Sequence, residues 1–159
     1  MIINPRLPTG HVVFCDDIRE EIGGKLTYVG VYRNALVISA LAPVTLPQLC
    51  AAVSLRIEPP AGPLSVTLRI LRSDSDEALF EAQVELEELI APLHPSPFSD
   101  ANSVPFFELF FPVRMPSLII KQDCAIKVRA YIGDDEIRLG AILVSFAELA
   151  DEDAITSAD

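Results

Sequence analysis

A chain of 159 residues with 50% hydrophobic and 22% charged side chains has the make-up of one globular domain, which excludes a disordered or fibrous polymer. Its formal net charge of −11 opposes a phosphate backbone and anionic lipid, so neither nucleic acid nor a membrane is expected as a partner. Cys15, Cys50 and Cys124 show no Cys-x-x-Cys spacing, which predicts reduced, buried thiols; with no leader-like start and no apolar run near ~18 residues, the expected location is cytoplasmic.

The first element, "FCDDIREEIGGKLTYVGVY" (Phe14 to Tyr32), is the stretch that looks most like chemistry. It is not a phosphate loop. Arg19 stands where the first glycine belongs, and Leu26 follows Lys25 where a magnesium-binding hydroxyl is needed. Cys15 has acidic neighbours, which raise a thiol pKa and make a poor nucleophile. The structural reading is a hairpin whose two-residue turn is Gly23-Gly24, since paired glycines accept the positive φ angles of a tight turn. That folding sets Arg19 opposite Tyr28 as a cation–π pair, Ile18 opposite Val29 and Asp16 opposite Val31. Phe14, Ile18 and Ile22 would share its apolar face. A single helical turn from an Asp17-x-x-Glu20 capping box, stopped at Gly23, fits the same spacing. Gly30 inside the next strand marks a bulge or a close backbone approach.

Residues 33–49 read as an apolar, proline-punctuated connection. After it the period is two. Val53, Leu55 and Ile57 alternate with Ser54, Arg56 and Glu58; Val66, Leu68 and Ile70 alternate with Thr67 and Arg69; Phe80, Ala82, Val84 and Leu86 alternate with glutamates and Gln83. Ile126, Val128, Ala130 and Ile132 repeat the pattern against Lys127, Arg129 and Tyr131. Such alternation predicts strands with one face on a core and one in water. "EPPAGP" (58–63), "RSDSDE" (72–77) and "IGDDE" (132–136) supply the turns. "VELEELIA" could make a helical turn, and residues 91–105, with four prolines, form a long loop. In "VPFFELFFPV" (104–113), Phe107, Leu109 and Phe111 take one side of a strand and Phe106 and Phe110 the other. A sandwich strand has one core face, so Phe106 and Phe110 need a second cover: the preceding loop with Phe98, or another chain.

Acidic turns carry the one metal reading. Asp16, Asp17, Asp74, Asp76, Asp134 and Asp135 are hard oxygen ligands that could hold calcium between loops, though no complete calcium loop is present and solvated turns account for them. Zinc has only His11 and His94, without ligand spacing. No Gly-x-Ser-x-Gly elbow occurs, and the chain has no Trp platform for a sugar.

The aromatic-Cys-Asp-Asp start, the Gly-Lys, the Gly-Val-Tyr and the later "LPQLC" (Leu46 to Cys50) together resemble a family of small bacterial and phage-associated proteins of unknown function. The resemblance implies one immunoglobulin-like β-sandwich, closed by an extended hairpin at "CAIKVRAYIGDDEIRLGAILV". It implies no activity, substrate or catalytic residue.

The expected fold is therefore all-β, an antiparallel two-sheet sandwich of about seven or eight strands. One domain spans 1–147, followed by an acidic tail at 148–159. The expected function is a non-enzymatic interaction or structural module, phage- or mobile-element-associated, without a cofactor. A protein partner or a second copy is expected at Phe106 and Phe110. A calcium-binding sandwich and an enzyme of another type are the alternatives.

Overall fold

The computed structural model describes residues 7–86 and 106–147. The loop expected at 91–105 and the acidic segment 148–159 fall outside them, as do residues 87–91 of the helical turn expected at 84–91, whose first three residues are strand. The described residues form ten strands and no helix: β1 (Thr9–Cys15), β2 (Asp17–Glu21), β3 (Lys25–Val29), β4 (Ala35–Ile38), β5 (Val44–Ile57), β6 (Leu64–Arg72), β7 (Ala78–Leu86), β8 (Phe107–Ile120), β9 (Cys124–Ile132) and β10 (Asp135–Phe146). No helix among them is long and apolar enough to cross a membrane.

The strands make a three-stranded sheet in the order β1-β5-β8, a five-stranded sheet in the order β4-β10-β9-β6-β7, and the separate hairpin β2-β3. The alternation read from the sequence sets the inward faces. Val53, Leu55 and Ile57 of β5 meet Val66, Leu68 and Ile70 of β6 and Ile126, Val128 and Ala130 of β9 in one buried cluster shared by both larger sheets. Each such side chain contributes about 1.5–3 kcal/mol when removed from water. On β8, Phe107, Leu109 and Phe111 pack against this cluster, as their spacing predicts. At one margin β1 passes so close to β10 that a Cβ on Gly140 would lie 2.6 Å from Val12 Cγ1.

Several expectations are corrected. Ten strands replace seven or eight, because β4 is too short to show a period and the run into the Gly-Gly turn is divided between β1 and β2. The five-stranded sheet is not wholly antiparallel: β4 pairs with β10 in parallel, Leu36 beside Val144 and Ile38 beside Phe146. Residues 33–49 are thus no mere connection, since β4 and the start of β5 lie in them. Leu36 and Ile38 are buried and Val37 is exposed, an alternation only four residues long.

The hairpin is real, and the helical turn is not. Its register differs by one residue from the expected one. Glu21 pairs with Lys25, so the connection is the three residues Ile22-Gly23-Gly24, with φ of 85° at Gly23 and 73° at Gly24. A one-residue slip moves every side chain to the other face. Ile18 therefore opposes Tyr28, Arg19 opposes Thr27, and Asp17 opposes Val29. Ile18 and Tyr28 come to share the face that packs down. Arg19 makes no cation–π contact with Tyr28; its Nε instead donates to Asp17 Oδ2 at 3.2 Å. Ile22 is fully exposed at the tip and joins no apolar face.

Candidate functional site

The opening stretch closes on itself around the base of the hairpin. Phe14 points into the main core, and Cys15 points the other way, directly opposite Cys50 on β5. Cys15, Cys50 and Ala52 are buried beneath Ile18 and Tyr28, so the hairpin covers part of the outer face of the three-stranded sheet. Polar contacts fasten it there. Tyr32 donates its hydroxyl to Asp16 Oδ1. Gln48 Nε2 donates to Asp16 O at 3.0 Å and to Asp17 Oδ1 at 3.2 Å. Arg114 Nη2 donates to Ile18 O at 2.7 Å. Gly30, at φ 65°, leaves room for the Asp16 carboxylate, which fills the space a Cβ would need. The close approach expected at Gly30 is thus a side chain packed on its backbone.

This environment holds protons on the thiols. Burial, then Cys50 and the two aspartates, push Cys15 from 9.0 up to about 11. Burial raises Cys50 and Cys124 as well. Burial and the bond to Asp16 push Tyr32 from 10.0 up to about 12. Groups with a raised pKa stabilise the fold fully below their unfolded values and lose that contribution as pH rises through the folded ones. The melting temperature is expected to drop as pH climbs from 9.0 through about 11, and Cys15→Ala should flatten the drop. At neutral pH, iodoacetamide should spare Cys15 and Cys50 in the native chain and modify both after unfolding. Rapid native labelling of Cys15 would contradict the buried geometry.

The acidic residues singled out from the sequence go separate ways. Asp16 and Asp17 belong to the hairpin base, where Arg19 above all holds the Asp17 carboxyl below its ordinary value. Asp74 is taken by Arg72, and Asp76 is exposed in the same turn. Asp134 is exposed in the β9–β10 turn and Asp135 is exposed at the start of β10. Arg72 pairs with Ile126 and Val66 with Ile132, so the turns after β6 and after β9 occupy opposite ends of the five-stranded sheet. Among the described residues no three His, Cys, Asp or Glu side chains gather as metal ligands.

Two features had no advance signal in the sequence. The first is a strut between the sheets. Arg72 of β6 grips Asp74 through Nε at 2.8 Å and Nη2 at 2.5 Å, and its Nη1 reaches Ile119 O of β8 at 2.7 Å. The second is an open cleft of 580 Å³ beside that strut, floored by Leu79, Phe80, Met115 and Leu118 and edged by Ser117 and Lys121. Its lining holds neither His nor Cys.

Phe106 and Phe110 remain on the surface, 43% and 40% exposed, on the outer face of the three-stranded sheet. Arg56 lies over the Phe106 ring at 4.7 Å. Glu108 accepts from Ser54 Oγ at 3.0 Å and lies 3.6 Å from Arg56 Nε. Alternation along β8 foretold the two rings; Arg56 and Ser54 join them only through the β5–β8 register, which places Arg56 opposite Glu108 and Ser54 opposite Phe110.

A family model of unknown function, DUF6941, matches residues 11–144. The chain belongs to DUF6941. No curated protein matches it. The span matched to DUF6941 contains the hairpin base, the Arg72 strut and the aromatic face, and the family description assigns none of them a role.

Proposed function

We propose that the chain is a non-enzymatic interaction module: an immunoglobulin-like sandwich of the two larger sheets that binds a protein surface through Phe106, Phe110 and Arg56. The sandwich reading is supported by the single apolar cluster to which both sheets contribute. The interaction reading is carried by one observation. Phe107, Leu109 and Phe111 pack against the core, while Phe110 on the same strand and Phe106 just before it are exposed on the opposite face. Two aromatic rings beside an arginine are the composition of interface anchors, which bind by losing water from rigid side chains. The buried thiols with raised pKa values and the already paired Arg72 and Asp74 favour a binding role over a catalytic one.

Photo-crosslinking tests the reading. A benzophenone side chain at Phe110 is expected to capture one dominant protein species in the native host, and the same probe at Lys127, on the outer face of the five-stranded sheet, is not. Equal, diffuse labelling from both positions would contradict the proposal.

A further inference from the structure

We propose that the partner is a second copy of this chain, and that β8 pairs with its own counterpart about a two-fold axis at Glu108. This inference rests on the reading of Phe106 and Phe110 as an interface.

β8 is the last strand of its sheet, so one side of its backbone has no neighbour among the described residues. A proline within a paired strand turns its donorless nitrogen away from the partner. Pro112 sits opposite Ala52 of β5, so the backbone of Pro112 faces the open side. Backbone direction alternates along a strand. Glu108 and Phe110 therefore face the open side too, and both carry an N–H. Prolines at 112 and 116 remove two of the outward donors further along the edge and interrupt the row, as natural edge strands do to avoid indiscriminate pairing. From Phe106 to Phe110 the outward row is not interrupted by a proline.

Its residues are self-complementary. Phe106 and Phe110 stand two positions either side of Glu108. In an antiparallel pairing centred on Glu108, Phe106 of each copy faces Phe110 of the other, which makes two aromatic cross-strand pairs on one face. On the other face Phe107 meets Leu109 and extends the core. Moving the register two residues toward the prolines sets Phe106 against Pro112, which costs a hydrogen bond and both aromatic pairs. The two Glu108 carboxylates meet at the axis, and each has its own Arg56 and Ser54 on the flank. The row across the pair is Arg56, Glu108, Glu108, Arg56, and it sums to zero. A closed two-fold interface of this kind ends at the dimer.

The net charge of −11 on each copy opposes the approach. Added salt screens that repulsion, so association is expected to strengthen with ionic strength.

The test combines sedimentation equilibrium with thiol trapping of the full chain. In a glutathione redox buffer, Glu108→Cys is expected to give covalent dimer as the main species, while Lys127→Cys stays monomeric; Cys15, Cys50 and Cys124 are buried and do not compete. Phe110→Pro removes the outward N–H and leaves the β5 side of the ladder intact, so it is expected to yield a folded monomer. Glu108→Cys changes only an exposed side chain and keeps the test valid if the proline variant misfolds. A chain that is monomeric at every concentration and salt, or a dimer that Glu108→Cys does not trap, overturns the inference. A monomer that still crosslinks one different protein through Phe110 overturns it too, and leaves the interaction-module reading standing.

Discussion

Arg72→Ala is expected to lower the stability of the fold by about 3 kcal/mol, which is a fall of about 6–12 °C in melting temperature for a domain of this size. The substitution removes three directed hydrogen bonds at once. It strands the Asp74 carboxylate, whose side chain is only 8% exposed, and it removes the tie to the exposed carbonyl of Ile119 on the other sheet. A surface ion pair would cost far less, because water replaces the lost partner. Here the loss is that of a nearly buried charge left without its counter-charge. Lys121, close enough to favour the Asp74 anion, keeps the penalty from going higher. Arg72→Lys should recover only part of it, since an ammonium cannot hold both carboxylate oxygens and Ile119 O together. Acid titration supplies a second readout. Arg72 holds the Asp74 carboxyl below its ordinary 3.8. The stability this confers is present above 3.8 and is lost as pH falls through the lower folded value. The Ala variant should lack that acid-side loss. Urea unfolding with an unchanged midpoint in Arg72→Ala would show that the strut contributes nothing.

Gly30→Ala should be nearly as damaging, at about 2–4 kcal/mol, from strain and overpacking together. A left-handed backbone with φ of 65° disfavours any Cβ. The new methyl would also meet the Asp16 carboxylate, forcing that side chain off Tyr32. The two costs separate in a double-mutant cycle. Asp16→Ala clears the space, so in its presence Gly30→Ala should retain only the backbone cost. Additive effects of the two substitutions would contradict the packing described here.

The sequence made the core strands legible because alternation over six or more residues needs no tertiary information: Leu55, Leu68 and Val128 are each buried where period two puts them. It could not show β4, whose four residues pair in parallel with a strand about 100 positions later in the chain. The hairpin register was open for a related reason. Gly-Gly permits both two- and three-residue turns, and the choice is made by Cys15, Cys50 and Ala52, which reward Ile18 and Tyr28 on one face. The residues that carry the family resemblance have a structural explanation. Phe14 fills the core, Cys15 and Cys50 pack together, and Asp16, Gly30, Tyr32 and Gln48 lock the hairpin base. The aromatic face was half legible: alternation gave the rings, and only the β5 register gave the Arg56 and Ser54 beside them.

The reading of Phe106 and Phe110 as an interface rather than a part of the core is tested most directly by the double variant Phe106→Ser/Phe110→Ser, followed by thermal melting and light scattering together. Rings already about half in water lose little burial on truncation, so stability should change by less than about 2 kcal/mol while association disappears. A variant that melts far below the parent, or fails to fold, with association of the parent never detected, would place both rings in the core and contradict the account.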